Sequence, residues 1–214
     1  MSSFTRALIV LINGVPFLHL ALVTASLFVI EAPHNFFVAL VLFYISPPIA
    51  AQLLFQVFGK PEGQFDINTK AYFVWWAVAQ LQAIFVRVPA FEEILRIIPF
   101  VYSNWLRLWG ARIGAMVYWG PRIMLLDRPW LSVGSRVIIG YGTGFTSHLV
   151  SKNAQTGKIE LLLATPRVED DVILGGLSGL GPGSEVAEGE MLPSTLLLAP
   201  FYRWEKGRRV ARRS

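Results

Sequence analysis

The stretch Pro166–Ala199, PRVEDDVILGGLSGLGPGSEVAEGEMLPSTLLLA, puts an aliphatic residue at every sixth position: Val168, Leu174, Leu180, Val186, Leu192 and Leu198. The residue after each is small or turn-tolerant in five of six cases (Gly175, Gly181, Ala187, Pro193 and Ala199), with Glu169 the exception. A period of six matches neither an amphipathic helix at 3.6 nor an ordinary strand at 2. It matches a parallel β-solenoid, in which each short strand sends one aliphatic side chain into the coil. The same step recurs at Val133, Ile139 and Phe145, and in the pairs Ile113-Gly114 and Trp119-Gly120.

A left-handed hexapeptide solenoid places three such strands in each eighteen-residue turn. Residues 113–149 then make about two coils and residues 168–199 slightly under two more, so a solenoid of about four coils is expected over 111–200. The phase slips between Trp119 and Val133, where Leu125, Leu126 and Leu131 compete for the inward position. Between the two phased blocks lies a loop, residues 150–167, that leaves the register. Rigid repeats position function at their interruptions, although a tolerated surface insertion would look the same.

The front of the chain is of another kind. The sequence is 54% hydrophobic and only 15% charged, below the roughly 25% charge of soluble domains, and its mean hydropathy is +0.51. Residues 7–30 carry no Lys, Arg, Asp or Glu, and after Glu31 a second uncharged stretch runs from Ala32 to Gly59. Each exceeds the ~20 residues that cross a hydrocarbon core, and the first is too long for a signal-peptide core. Two transmembrane helices are expected, with Pro47-Pro48 kinking the second. Arg6 before the pair and Lys60 and Lys70 after it place both ends in the cytosol.

The stretch 71–86 is uncharged but flanked by Lys70 and Arg87, and it reads as a re-entrant or interfacial segment, with Tyr72, Trp75 and Trp76 at headgroup depth. A true crossing is the alternative. Residues 91–109 read as an amphipathic helix with a polar stripe of Glu92, Glu93, Arg96, Ser103, Asn104 and Arg107, split or bent at Pro99. Such a helix suits the membrane interface or the open first coil of the solenoid. Residues 1–110 thus form the membrane domain, 111–200 the solenoid and 201–214 a basic tail.

Three histidines occur, His19, His34 and His148. His19 lies within the first span and reads as a packing residue bonded to the second span. His148 ends a coil just before the loop. The segments VGSRVIIGYGTGFTSHLVSK and PRVEDDVILGGLSGLGPGSEVAEGEMLPSTLL resemble the hexapeptide-repeat acyltransferases, which place a histidine at the end of a coil before an extended loop and then resume with a Gly-Gly pair. With the apolar front and the LRLWGARIG junction, the chain is similar to the membrane-associated branch of that family. The resemblance covers residues 113–199. It implies His148 as general base, a homotrimer, and acyl-CoA (or acyl carrier protein) as donor. The pantetheine would run in a groove between subunits near Gly176, Ser178 and Ser194.

The chemistry is consistent with those residue types. Imidazole titrates near neutrality and suits removal of an acceptor proton during acyl transfer. Backbone amides near Gly175 and Gly176 are candidate oxyanion donors, and a plain solenoid corner is the alternative. Asp127, in LLDRPW, is the upstream acid placed to orient the imidazole or bind the acceptor, unless it caps a turn beside Pro129. Glu169, Asp170 and Asp171 form a second acidic run. Ser147 and His148, as neighbours on a strand, point to opposite faces and make no triad.

No cysteine is present, which excludes thiol catalysis and disulfides. No metal is expected: a zinc hydrase on this solenoid needs three histidine ligands, and the coils hold one. Residues 202–214 carry six basic residues against Glu205, a net +5 equal to that of the whole chain. Such a cluster suits anionic lipid or CoA phosphates, and no groove-reading motif accompanies it to indicate nucleic acid. The expectation is a multi-pass acyltransferase of the bacterial inner membrane, its solenoid cytoplasmic and its acceptor a lipid or amphiphile. A non-catalytic trimeric membrane scaffold is the alternative.

Overall fold

The computed structural model describes residues 3–211. From Arg112 onward the sixfold phase becomes three parallel sheets. The first face stacks Arg112–Ile113, Ser132–Val133, Arg167–Val168, Glu185–Val186 and Tyr202–Glu205. The second stacks Tyr118–Trp119, Ile138–Ile139, Ile173–Leu174 and Met191–Leu192. The third stacks Met124–Leu125, Gly144–Phe145, Gly179–Leu180 and Leu197–Leu198. The second residue of each two-residue rung points inward, and from Val133 to Leu198 these residues are at most 3% exposed. This is a three-faced parallel β-helix, the solenoid expected from the hexad phase.

The coil count is larger than the sequence reading gave. Four coils are followed by a fifth rung, Tyr202–Glu205, paired in parallel with Glu185–Val186. The hexad continues from Leu198 to Trp204, which takes the inward position and is 7% exposed. The step lies inside the basic segment that read as a tail. Most of the expected basic tail is therefore ordered. Tyr202–Glu205 turns back on Arg208–Ala211 as an antiparallel hairpin that covers the last coil. Arg212 and Arg213, counted in that basic cluster, lie outside the described residues. Four rung spacings of roughly 4.8 Å put the hairpin about 19 Å from the helices on the first coil.

The loop 150–167 is also corrected. His148–Lys152 and Ile159–Leu163 form an antiparallel hairpin, and Gly63–Asp66 joins it as a third strand. Leu161 and Leu163 are buried on one side of that sheet. The connection after the second apolar stretch is thereby zipped to the solenoid.

Seven helices precede the coils: α1 Ser3–Asn13, α2 Val15–Val29, α3 His34–Tyr44, α4 Ser46–Phe58, α5 Lys70–Arg87, α6 Ala90–Ile97 and α7 Val101–Leu108. Ala7–Val29 is long and apolar enough to cross a membrane. The pairs α3–α4, bent by 42°, and α5–α6, bent by 78°, meet the same criterion only if each is one span. Phe17, Phe28 and Phe37 are 77%, 85% and 70% exposed on this layer.

Pro47 and Pro48 fall in the first turn of α4, where a missing N–H is tolerated best. The Tyr44 carbonyl, which Pro48 cannot serve, accepts a bond from Trp105 Nε1 at 2.8 Å. His19 Nε2 lies 3.0 Å from the Leu42 carbonyl and its ring stacks on Phe43, so this histidine ties α2 to α3.

Pro99 divides the amphipathic segment into α6 and α7. Only part of the polar stripe faces water: Asn104 and Arg107 are exposed, whereas Glu92 and Ser103 are buried and the Arg96 side chain is 4% exposed. α7 covers the first coil. Ser103 Oγ accepts from Trp119 Nε1 at 2.9 Å, and Arg107 donates to the carbonyls of Ile113 and Gly114.

Candidate active site

The phase slip builds the site. Leu125 takes the inward position, and the next inward residue, Val133, follows eight residues later rather than six. The two additional residues let the chain bulge at the corner between the third face and the first, carrying Asp127 and Arg128 to the helices. His148 leaves the same corner one coil later, where the hairpin begins. Asp127 Oδ2 lies 2.6 Å from His148 Nδ1.

Asp127 is almost fully enclosed, with a side chain 1% exposed, whereas that of His148 is 26% exposed. The carboxylate also accepts from Trp75 Nε1 at 2.9 Å and from the Ser147 amide at 3.2 Å. The enclosed carboxylate is thus hydrogen-bonded by two N–H groups besides the imidazole. Its contact with Nδ1 assigns the proton to that nitrogen and leaves the Nε2 lone pair directed away from Asp127. The Trp75 ring lies 4.9 Å from the imidazole, tilted by 59°. Ser147 Oγ turns away and donates to the Trp130 carbonyl, so it takes no part in a triad.

Sequence reading missed Trp75. It was placed at headgroup depth with Tyr72 and Trp76, yet it is 4% exposed and faces the solenoid. Two turns along α5, Gln82 Oε1 accepts from the Arg128 amide at 2.7 Å. α5 is therefore fixed to consecutive residues of one corner and lies along it. Arg128 itself bonds Glu92 Oε1 through Nε at 2.7 Å and also through Nη2. Glu92 Oε2 accepts from Arg96 at 2.8 Å and from Tyr102 Oη at 2.7 Å. Burial lowers the Arg128 guanidinium pKa to about 9, so it remains cationic at neutral pH. The Asp-Arg pair inside an apolar run was the available signal for this cluster.

The other predicted residues lie elsewhere. Gly175, Gly176, Ser178 and Ser194 share the corner between the second and third faces, one face away from His148. Two of them are corrected. The Gly175 amide donates to the Leu192 carbonyl at 2.8 Å, so the solenoid ladder already uses it. Ser178 is 2% exposed and its amide bonds the Gly175 carbonyl, so it presents nothing to a ligand outside the coil. Gly176 and Ser194 stack at the corner surface, and among the described residues no hydrogen bond engages the amide of either. A Cβ at Gly175 would come within 2.4 Å of the Ser194 amide nitrogen, which explains that glycine by packing. Asp170 and Asp171 sit at the third corner and pair with Arg136, away from the imidazole.

No protein-family profile matches the chain, and no curated protein does. Among solved structures, a hexapeptide-repeat acetyltransferase of Vibrio cholerae complexed with acetyl coenzyme A is 14% identical, with 63% of this chain and 87% of that one covered and a TM-score of 0.39. A maltose O-acetyltransferase of Clostridium difficile is 11% identical over 71% of this chain and 94% of that one, with a TM-score of 0.28. The serine acetyltransferase of Neisseria gonorrhoeae is 13% identical over 94% and 92%, with a TM-score of 0.31. Likenesses at this level carry none of those proteins' chemistry to this chain.

Proposed function

We propose that this protein is a membrane-bound acyltransferase that moves an acyl group from acyl-CoA, or an acyl carrier protein, to a hydroxyl or amine of a lipid or membrane-held acceptor. The His148–Asp127 contact carries the reading: a partly exposed imidazole is held by an enclosed carboxylate at the edge of a rigid coil. Nε2 removes the acceptor's proton as its oxygen or nitrogen attacks the thioester carbonyl. When the tetrahedral intermediate collapses and the C–S bond breaks, the same nitrogen returns the proton to the leaving thiolate. Asp127 holds the tautomer and stabilises the imidazolium formed between those steps.

The lipid acceptor is supported by α5. A helix of the apolar layer backs the imidazole through Trp75 and ties that layer to the reacting group. A soluble acceptor would require no such connection. The multi-pass membrane location, with the solenoid on the cytoplasmic side, is part of the same proposal and follows from the flanking charges. Thiol release from acyl-CoA, measured with and without a membrane lipid extract, tests it. Release that requires the extract is expected, and equal release with soluble sugars would contradict it. Trp75→Phe keeps an aromatic ring, smaller than the indole, and deletes the N–H. A fall of roughly tenfold in kcat with unchanged folding is expected, since a bond to a charged group contributes about 1.5–3 kcal/mol.

A homotrimer is proposed because Gly176 and Ser194 lie one face from His148 in the same chain, so a donor channel at their corner reaches an imidazole only across a subunit boundary. The second face offers a surface for this. Tyr118, Ile138, Ile173 and Met191 form one outward ladder and are 62%, 47%, 40% and 60% exposed. Ile138→Asp with Ile173→Asp should convert the purified oligomer to monomer by light scattering and remove turnover. A trimer that persists in that variant would place the interface elsewhere.

A further inference from the structure

On the first face, around the corner from His148, a small polar pocket of ≈ 100 Å³ is lined by Lys60, Glu62, Arg112, Ser132, Thr165 and Arg167. A concavity of that order is suited to a compact anion such as phosphate. Arg112 and Arg167 flank Ser132 on successive rungs, so the two guanidinium stems rise roughly 4.8 Å to either side of its hydroxyl. Among the described residues, no carboxylate lies within salt-bridge range of either arginine.

Lys60 comes from the connection just after α4 and is held in place. Its ammonium donates to the Pro129 carbonyl at 2.8 Å and lies 5.5 Å from the Trp130 ring centre. Desolvation lowers its pKa from the ordinary lysine value; Glu62 opposes the shift and Arg112 adds to it. Glu62, the one carboxylate in the lining, already accepts from Thr165 Oγ1 at 2.7 Å. Glu185, on the rung beyond Arg167, is bonded to Arg203. Three cations thus share the lining with one engaged anion.

We propose that Lys60, Arg112, Ser132 and Arg167 form a binding site for a phosphate group, two guanidinium forks gripping its oxygens while Lys60 supplies a point charge. The pocket lies beside the C-terminal end of α4, next to the apolar layer, which suits the phosphate of a lipid headgroup. A phosphate of CoA offers the same chemistry. The site is separate from His148 and needs no turnover, so it stands or falls independently of the acyl-transfer reading.

The test is ligand-induced thermal stabilisation of the full chain in detergent, using inorganic phosphate, dihexanoyl phosphatidic acid, dihexanoyl phosphatidylcholine, CoA and 3′-dephospho-CoA. Phosphate and phosphatidic acid should raise Tm in wild type, and Arg112→Gln with Arg167→Gln should weaken the apparent affinity at least roughly tenfold. Without ligand, the double variant should melt at or above the wild-type temperature, because a repulsion has been removed; this also shows that it folds. Preference for phosphatidic acid over phosphatidylcholine and CoA assigns the site to a headgroup. A response that CoA gives and 3′-dephospho-CoA does not assigns it to the donor's ribose phosphate. No stabilisation of wild type by any phosphate, or equal stabilisation of the double variant, overturns the site.

Discussion

Replacing His148 with alanine is expected to lower kcat by about 10²–10⁴-fold, the range that a positioned general base contributes, while leaving the melting temperature close to wild type. The ring is partly exposed, and apart from Asp127 it meets mainly the Trp75 ring. The coil does not depend on it: the adjacent inward residue is Phe145, and the strand pairing of 148–152 is made by backbone. Asp127→Asn should follow in the same direction, because an amide can offer Nδ1 the wrong partner and favour the unproductive tautomer. Full turnover in His148→Ala, measured by thiol release, would remove the assignment of the base.

Arg128→Met is expected to destabilise the fold by about 3–5 kcal/mol, the cost of leaving one member of a buried ion pair without its partner. The Arg128 side chain is 1% exposed and joins Glu92 on α6 to Gln82 on α5. Its loss leaves Glu92 with Arg96 and Tyr102 only. The neighbouring residue is Asp127, so kcat should fall together with Tm. Combined with Glu92→Gln, the effects should be less than additive, because both changes break one cluster. An unchanged Tm in Arg128→Met would mean that this cluster does not clamp the helices to the first coil.

What was readable in the sequence followed from local repetition. One inward aliphatic per strand set the faces, the rungs and the position of His148 at the end of a coil. Asp127 was nominated as the acid upstream of His148 in an apolar run, with a turn cap beside Pro129 as the alternative, and the eight-residue step from Leu125 to Val133 is the same bulge seen as a loss of phase. Trp75 and Gln82 were not readable as site residues. Their role depends on which side of α5 meets the solenoid, and a helix apolar on most sides gives no such direction. The buried Glu92 and Arg96 were misassigned for a related reason: a polar stripe signals solvent only when no buried countercharge waits across the interface, and Arg128 lies 36 residues away in the chain. Trp204 escaped because it lies among the basic residues of 201–214, which read as a tail.

The central claim is that the imidazole held by Asp127 transfers an acyl group onto a membrane-held acceptor. Its most direct test is mass spectrometry of a membrane lipid extract after incubation with acyl-CoA and either wild type or the near-isosteric His148→Gln. The account predicts a lipid species heavier by one acyl group, less the displaced hydrogen, with wild type and none above background with the folded variant. Equal product from both proteins, or CoA release with no lipid gaining mass, would contradict it.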